Sequence, residues 1–103
     1  MKKYNSYIKL SEINYKNLYL KFKSLLNLEV EYDYENNKYY IKNKKYNIIL
    51  YGSSYNELKE KLNEVIYKLW YNYAIKKEEN LTENEILLKY NILDIVDIVY
   101  EDN

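Results

Sequence analysis

Polar and apolar residues alternate without a break across LEVEYDYE (28–35). Leu28, Val30, Tyr32 and Tyr34 fall on one side, and Glu29, Glu31, Asp33 and Glu35 on the other. A period of two belongs to a strand with one face covered and one face wet. Asn36-Asn37 follows, and asparagine tolerates the left-handed conformation that a tight hairpin turn demands. KYYIKN (38–43) reads as the returning strand, and Lys44-Lys45 mark a second turn. YNIILYG (46–52) is apolar on both faces, which suits a central or well-covered strand. Together these segments predict a three-stranded antiparallel meander.

Elsewhere the spacing is helical. In residues 11–27, Tyr15, Leu18, Tyr19, Phe22, Leu25 and Leu26 recur on one helical face, with Ser11 as N-cap and Leu10 stapled against Tyr15. Over 54–77, Leu58, Leu62, Val65, Ile66, Leu69, Trp70 and Tyr73 trace another face, opened by Ser54 and Glu57 as an S-x-x-E capping box. Gly52, the sole glycine, stands between strand and helix, where its freedom of backbone angle would turn the chain sharply. Thr82 and Glu85 form a second capping box, and Ile86, Tyr90, Leu93, Val96 and Tyr100 continue at helical spacing. The stretch ILDIVDIVY (92–100) is dense in β-branched residues and admits a fourth strand, with helix the preferred reading.

The expected fold is a single α+β domain over residues 1–103. It comprises an N-terminal helix, a three-stranded antiparallel meander, a long amphipathic helix packed on the sheet, and a C-terminal helix. Val30, Tyr32, Ile41, Ile48, Leu50, Leu62, Ile66, Leu69 and Trp70 form its expected core.

Composition narrows the function. Sixteen lysines balance sixteen acids, so no overall field draws nucleic acid or an anionic membrane. The halves differ, however, with about +5 over residues 1–50 and −5 over 51–103. Arginine is absent, while Asn occurs fifteen times, Ile eleven and Tyr sixteen. Codons for these residues are rich in A and T, which implies a low-GC bacterium or one of its phages and accounts for many tyrosines by composition alone. With no cysteine there is no disulfide or thiol chemistry. MKKYNSYIKL lacks the apolar core of a signal peptide, and no apolar run of about 18 residues follows, so a cytoplasmic location and no membrane contact are expected.

Without histidine or cysteine, a general base would have to be Asp, Glu, Tyr or Lys, and no nucleophilic triad can be assembled. No enzyme, catalytic residue or cofactor is expected. A phosphate cradle at Gly52 would need further glycines or a basic neighbour. Glu29, Glu31, Asp33 and Glu35 could gather Mg²⁺ or Ca²⁺, but alternation makes them the wet face of a strand, and no metal site is expected. Tyr39, Tyr40, Lys42, Lys44, Lys45 and Tyr46 interleave bases and aromatics, the pattern of a nucleic-acid-binding regulator. Balanced charge, missing arginine and the neighbouring acids weigh against that alternative, and Lys–Glu pairing across strands explains the same residues.

Protein binding fits best, because tyrosine supplies large amphipathic contact area at small entropic cost. Glu29, Glu31, Asp33, Glu35, Tyr39, Tyr40 and Lys42 are the candidate contact residues. An unpaired strand edge or the apolar C-terminal segment also leaves a homodimer open.

Strand, hairpin, strand, strand, G-S-S-x-x-E and long helix occur in the order that resembles the small HicB-like antitoxin domain. Gly52, Ser53, Ser54 and Glu57 carry this likeness with Tyr32, Tyr40 and Ile41, over about residues 28–75. LWYNYAIKKEENLTENEILLK likewise resembles the tails of short prophage-type proteins of low-GC bacteria. The resemblance implies a protein that neutralises a small RNA-cleaving toxin by covering its surface. The family's P-x-L-P-G-C-like stretch is replaced here by NKKYN, and the acidic C-terminal segment is too short for an added DNA-binding module. The expected function is a small non-enzymatic inhibitor acting by stoichiometric occlusion. One form is a HicB-like antitoxin; the other is a phage-encoded anti-defence protein of the anti-CRISPR type, whose acidic strand face or C-terminal acids occupy a basic nucleic-acid channel. The expected partner is a toxin or a bacterial defence nuclease complex.

Overall fold

In the computed structural model, which describes residues 6–102, the stretch expected to be an N-terminal helix forms two long strands. Strand β1 (Ser6–Tyr15) pairs antiparallel with β2 (Leu18–Asp33), with Ile8 opposite Leu28 and Ile13 opposite Leu20. The reason lies in β2, where Leu18, Leu20, Phe22, Leu26, Leu28 and Val30 are all buried. These residues keep a period of two over 18–22 and again over 26–30, broken at the exposed Ser24, while a shorter window also fits helical spacing. The turn between the strands uses Lys16 at φ 52°, a conformation in which lysine is a poor sequence signal. Ser11 caps nothing. It sits where the register shifts between Leu10 and Glu12, an irregularity that moves the inward residues of β1 from Ile8 to Ile13 while β2 keeps its even-numbered ones.

Strands β3 (Lys38–Asn43) and β4 (Ile48–Gly52) continue the sheet, with Tyr40 opposite both Glu31 and Tyr51 and with Ile41 opposite Leu50. Strand order is β1-β2-β3-β4, and a fifth strand, β5 (Val96–Glu101), pairs with the first half of β2. The sheet is therefore five-stranded rather than a three-stranded meander. Strand β4, read as central from its apolar character, lies at the sheet edge, with Ile48 buried and Ile49 63 % exposed. Asn37, at φ 53°, supplies the left-handed residue of the β2–β3 turn. Tyr34 falls in that turn and is exposed, rather than continuing the strand face of Leu28, Val30 and Tyr32.

Helix α1 (Tyr55–Leu69) packs Leu58, Leu62, Ile66 and Leu69 inward, touching β1, β3 and β4, and runs on through a π-turn over Trp70–Ala74. Helix α2 (Glu83–Ile95) opens on a full capping box, with Thr82 Oγ1 accepting from Glu85 N and Glu85 Oε1 from Thr82 N. Its last residue leads directly into β5, so residues 92–100 divide between helix and strand rather than continuing as helix. Val96 and Val99 lie opposite Phe22 and Leu20, using an edge of β2 that β1 does not occupy. Of the expected core, Val30, Ile41, Ile48, Leu62, Ile66, Leu69 and Trp70 are buried, while Tyr32 and Leu50 are half-buried. Among the described residues, no helix is long and apolar enough to cross a membrane.

Gly52 does not use a left-handed backbone. A Cβ there would lie 3.3 Å from the Leu58 side chain and 3.4 Å from Glu57 Cβ, so the glycine lets the first turn of α1 sit close on the end of β4. Gly52→Val is expected to cost about 1–3 kcal/mol through overpacking, read as a lower urea midpoint.

Candidate docking face

Both helices pack on one side of the sheet, and cross-strand register fixes which side chains point to the other. Ile41 is buried, so Tyr39, Ile41, Leu50 and Gly52 face the helices. Tyr40, Lys42, Ile49 and Tyr51 point away from them. Glu29 and Glu31 share this outer face, opposite Tyr7 and Tyr40 respectively. Three adjacent stripes result. Acids line β2, a Tyr–Lys pair lies on β3, and an Ile–Tyr pair lies on β4.

The stripes interact. Rings of Tyr40 and Tyr51 lie 5.8 Å apart at 32°, and the Lys42 ammonium sits 5.5 Å from the Tyr40 ring centre. Beside them Asp33, Tyr34, Glu35, Tyr40, Lys42 and Tyr51 border an open depression of about 410 Å³. Its shape suits the side chains of a docking protein better than an enclosed small molecule.

Of the expected contact residues, Asp33 and Glu35 border the depression at the β2–β3 turn, and Tyr39 lies on the opposite face. Asp33 organises the turn, its Oδ1 accepting from Glu35 N at 3.0 Å and Asn36 N at 3.3 Å, and its Oδ2 accepting from Asn36 Nδ2 at 2.8 Å. The Asn36 side chain, the turn N–H groups and Lys42 hold the Asp33 carboxyl below its usual range. Glu35 is exposed in the same turn. Tyr39 points inward, its ring 4.8 Å from Tyr32 and 5.0 Å from Tyr55, and the Tyr55 hydroxyl in turn donates to Ser6 Oγ. A second column, Tyr15–Tyr67–Tyr71, has centroid spacings of 5.1 and 4.9 Å, with Lys16 against the first two rings. These columns make many tyrosines structural. Residues that sequence reasoning missed are Tyr7, Ile49 and Tyr51. The alternation of Ile48 and Leu50 against Ile49 and Tyr51 carried the signal, but it was masked because all four are apolar or aromatic.

At the junction bearing the family likeness, Ser54 Oγ accepts from Glu57 N at 3.1 Å. The Glu57 carboxylate reaches one residue past the usual box, accepting from Ser53 Oγ and Ser53 N, each at 2.6 Å. These two donors, with Lys61, lower the Glu57 carboxyl from 4.5 to about 2. A lowered folded-state value stabilises the fold above the unfolded value. That stabilisation is fully present above about pH 4.5 and is lost as pH falls toward 2. Glu57→Gln is expected to flatten this part of the stability–pH curve, measured by urea unfolding at stepped pH.

Among the described residues, no group of three or more acidic side chains is placed to hold a metal ion. Comparison with family models, curated proteins and solved structures finds no match.

Proposed function

We propose that this chain is a small non-enzymatic inhibitor that binds a protein partner through the outer face of β2, β3 and β4 and neutralises it by stoichiometric occlusion. The observation that carries this reading is a sheet face turned away from both helices, on which Glu29 and Glu31 border Tyr40, Lys42, Ile49 and Tyr51. Aromatic anchors beside charged groups are what protein hot spots use, and a sheet presents them at little cost in ordering. The acids favour a basic partner surface. Both an RNA-cleaving toxin and the nucleic-acid channel of a defence nuclease provide one. The HicB-like junction at Gly52, Ser53, Ser54 and Glu57 supports the antitoxin form, and the AT-rich composition is equally at home in a phage anti-defence protein.

Affinity capture from lysate of the source cell, with and without nuclease, tests the reading. One retained protein, insensitive to nuclease and carrying a basic surface, is the expected result. Loss of all retained protein after nuclease would transfer the function to nucleic-acid binding by the Lys–Tyr hairpin.

A further inference from the structure

Among the described residues β1, β4 and β5 each leave one edge unpaired, as does the middle of β2 between its pairings with β5 and β3. Natural sheets protect such edges with charged residues, prolines or bulges. Strand β1 carries Lys9 and Glu12 and a register irregularity, and its Asn14 N–H donates to Asn63 Oδ1 of α1 at 3.4 Å. Strand β5 carries Asp97 and Glu101. Strand β4, Ile-Ile-Leu-Tyr-Gly, has no charge, proline or bulge. The Lys61 side chain reaches over it, its Nζ donating to the Tyr51 carbonyl at 2.6 Å. That carbonyl is therefore turned toward the open edge. In an antiparallel strand alternate residues direct both backbone groups to the same side, so Ile49 presents its own there as well.

We infer that β4 pairs edge to edge, antiparallel, with β4 of a second copy of this chain about a twofold axis at Leu50. Self-complementarity argues for a second copy rather than a foreign strand. About that axis Ile49 of each copy lies opposite Tyr51 of the other on the outer face, and Ile48 lies opposite Gly52 on the inner face. The helix beside the edge matches too. Glu57, Lys61, Glu64 and Lys68 form one stripe on α1, with ion pairs Lys61–Glu57 and Lys68–Glu64, each at 3.3 Å. Acid-base-acid-base in one direction reads base-acid-base-acid in the other. Two antiparallel copies of the stripe therefore set opposite charges against each other, Lys61 facing Glu64 of the second copy. Each Lys61 exchanges its contact with Tyr51 for the partner's carboxylate, and the backbone of the second β4 takes the carbonyl. The interface is isologous, as a closed dimer requires.

This inference does not depend on the inhibitor reading and is tested without any partner. Sedimentation velocity of the full chain is expected to give twice the 12.8 kDa chain mass at tens of micromolar. Ile49→Lys, at a site exposed in the single chain, should return the mass to that of one chain with an unchanged circular dichroism spectrum. Lys61→Glu should weaken the dimer about tenfold or more, and Lys61→Glu with Glu64→Lys should restore it. Glu29→Lys with Glu31→Lys should leave the mass unchanged. A wild-type chain that stays at one chain mass at every concentration, or a dimer indifferent to Ile49→Lys, overturns the inference. Failure of the charge swap to restore the dimer overturns the facing-stripe register.

Discussion

Lysine at both Glu29 and Glu31 is expected to weaken partner binding about 30-fold or more, the size of losing one hot spot worth about 2 kcal/mol. Glu29 is exposed opposite Tyr7, and Glu31 lies opposite Tyr40, so the double reversal turns the acidic stripe basic without entering the core. Against a basic partner surface it replaces attraction with repulsion and should slow association as well as speed dissociation. Isothermal titration with the captured partner reads the loss. A matching urea midpoint for variant and wild type shows that the fold is intact. Asp33 would be the wrong residue for this test, because its carboxylate closes the β2–β3 turn. Binding that survives the double reversal removes the acidic stripe from the interface.

The second large effect concerns stability and separates the strand from the helix expected over the same residues. Leu20→Ala should cost about 2–5 kcal/mol, since Leu20 is 0 % exposed between Ile13 of β1 and Val99 of β5. Leu25→Ala should change stability by less than about 0.5 kcal/mol, since Leu25 is 57 % exposed. An N-terminal helix would reverse that order, for its apolar face contains Leu25 and leaves Leu20 outside. Urea unfolding of the two variants side by side decides between them.

The legible parts of this fold were those where one period ruled alone. Glu29 to Asp33 could follow only a period of two, and the wet acidic face of β2 is where alternation put it. Ser54 and Thr82 cap helices as their sequence motifs indicate, because a cap is a local hydrogen bond that needs no tertiary partner. The first half of β2 was illegible for the opposite reason. Leu18, Phe22, Leu25 and Leu26 satisfy helical spacing, and only pairing with β1 on one side and β5 on the other decides for strand. Those partners are distant in sequence or joined through a turn at Lys16 that no glycine or asparagine announces at the left-handed position. The switch from α2 to β5 at Val96 is likewise tertiary, since an open edge on β2 draws a β-branched segment out of a helix. At the candidate site, Glu29, Glu31, Tyr40 and Lys42 were visible through alternation. Ile49 and Tyr51 were not, because an edge strand apolar on both faces reads like a central one.

Stoichiometric occlusion is tested most directly by titrating this chain against a fixed, known concentration of its purified partner while following the partner's own nuclease activity. Activity is expected to fall linearly and to vanish at one chain per partner active unit, with Glu29→Lys plus Glu31→Lys leaving activity intact at the same ratio. Full partner activity in the presence of excess chain, or loss of activity at a small fraction of equivalence, contradicts inhibition by occlusion.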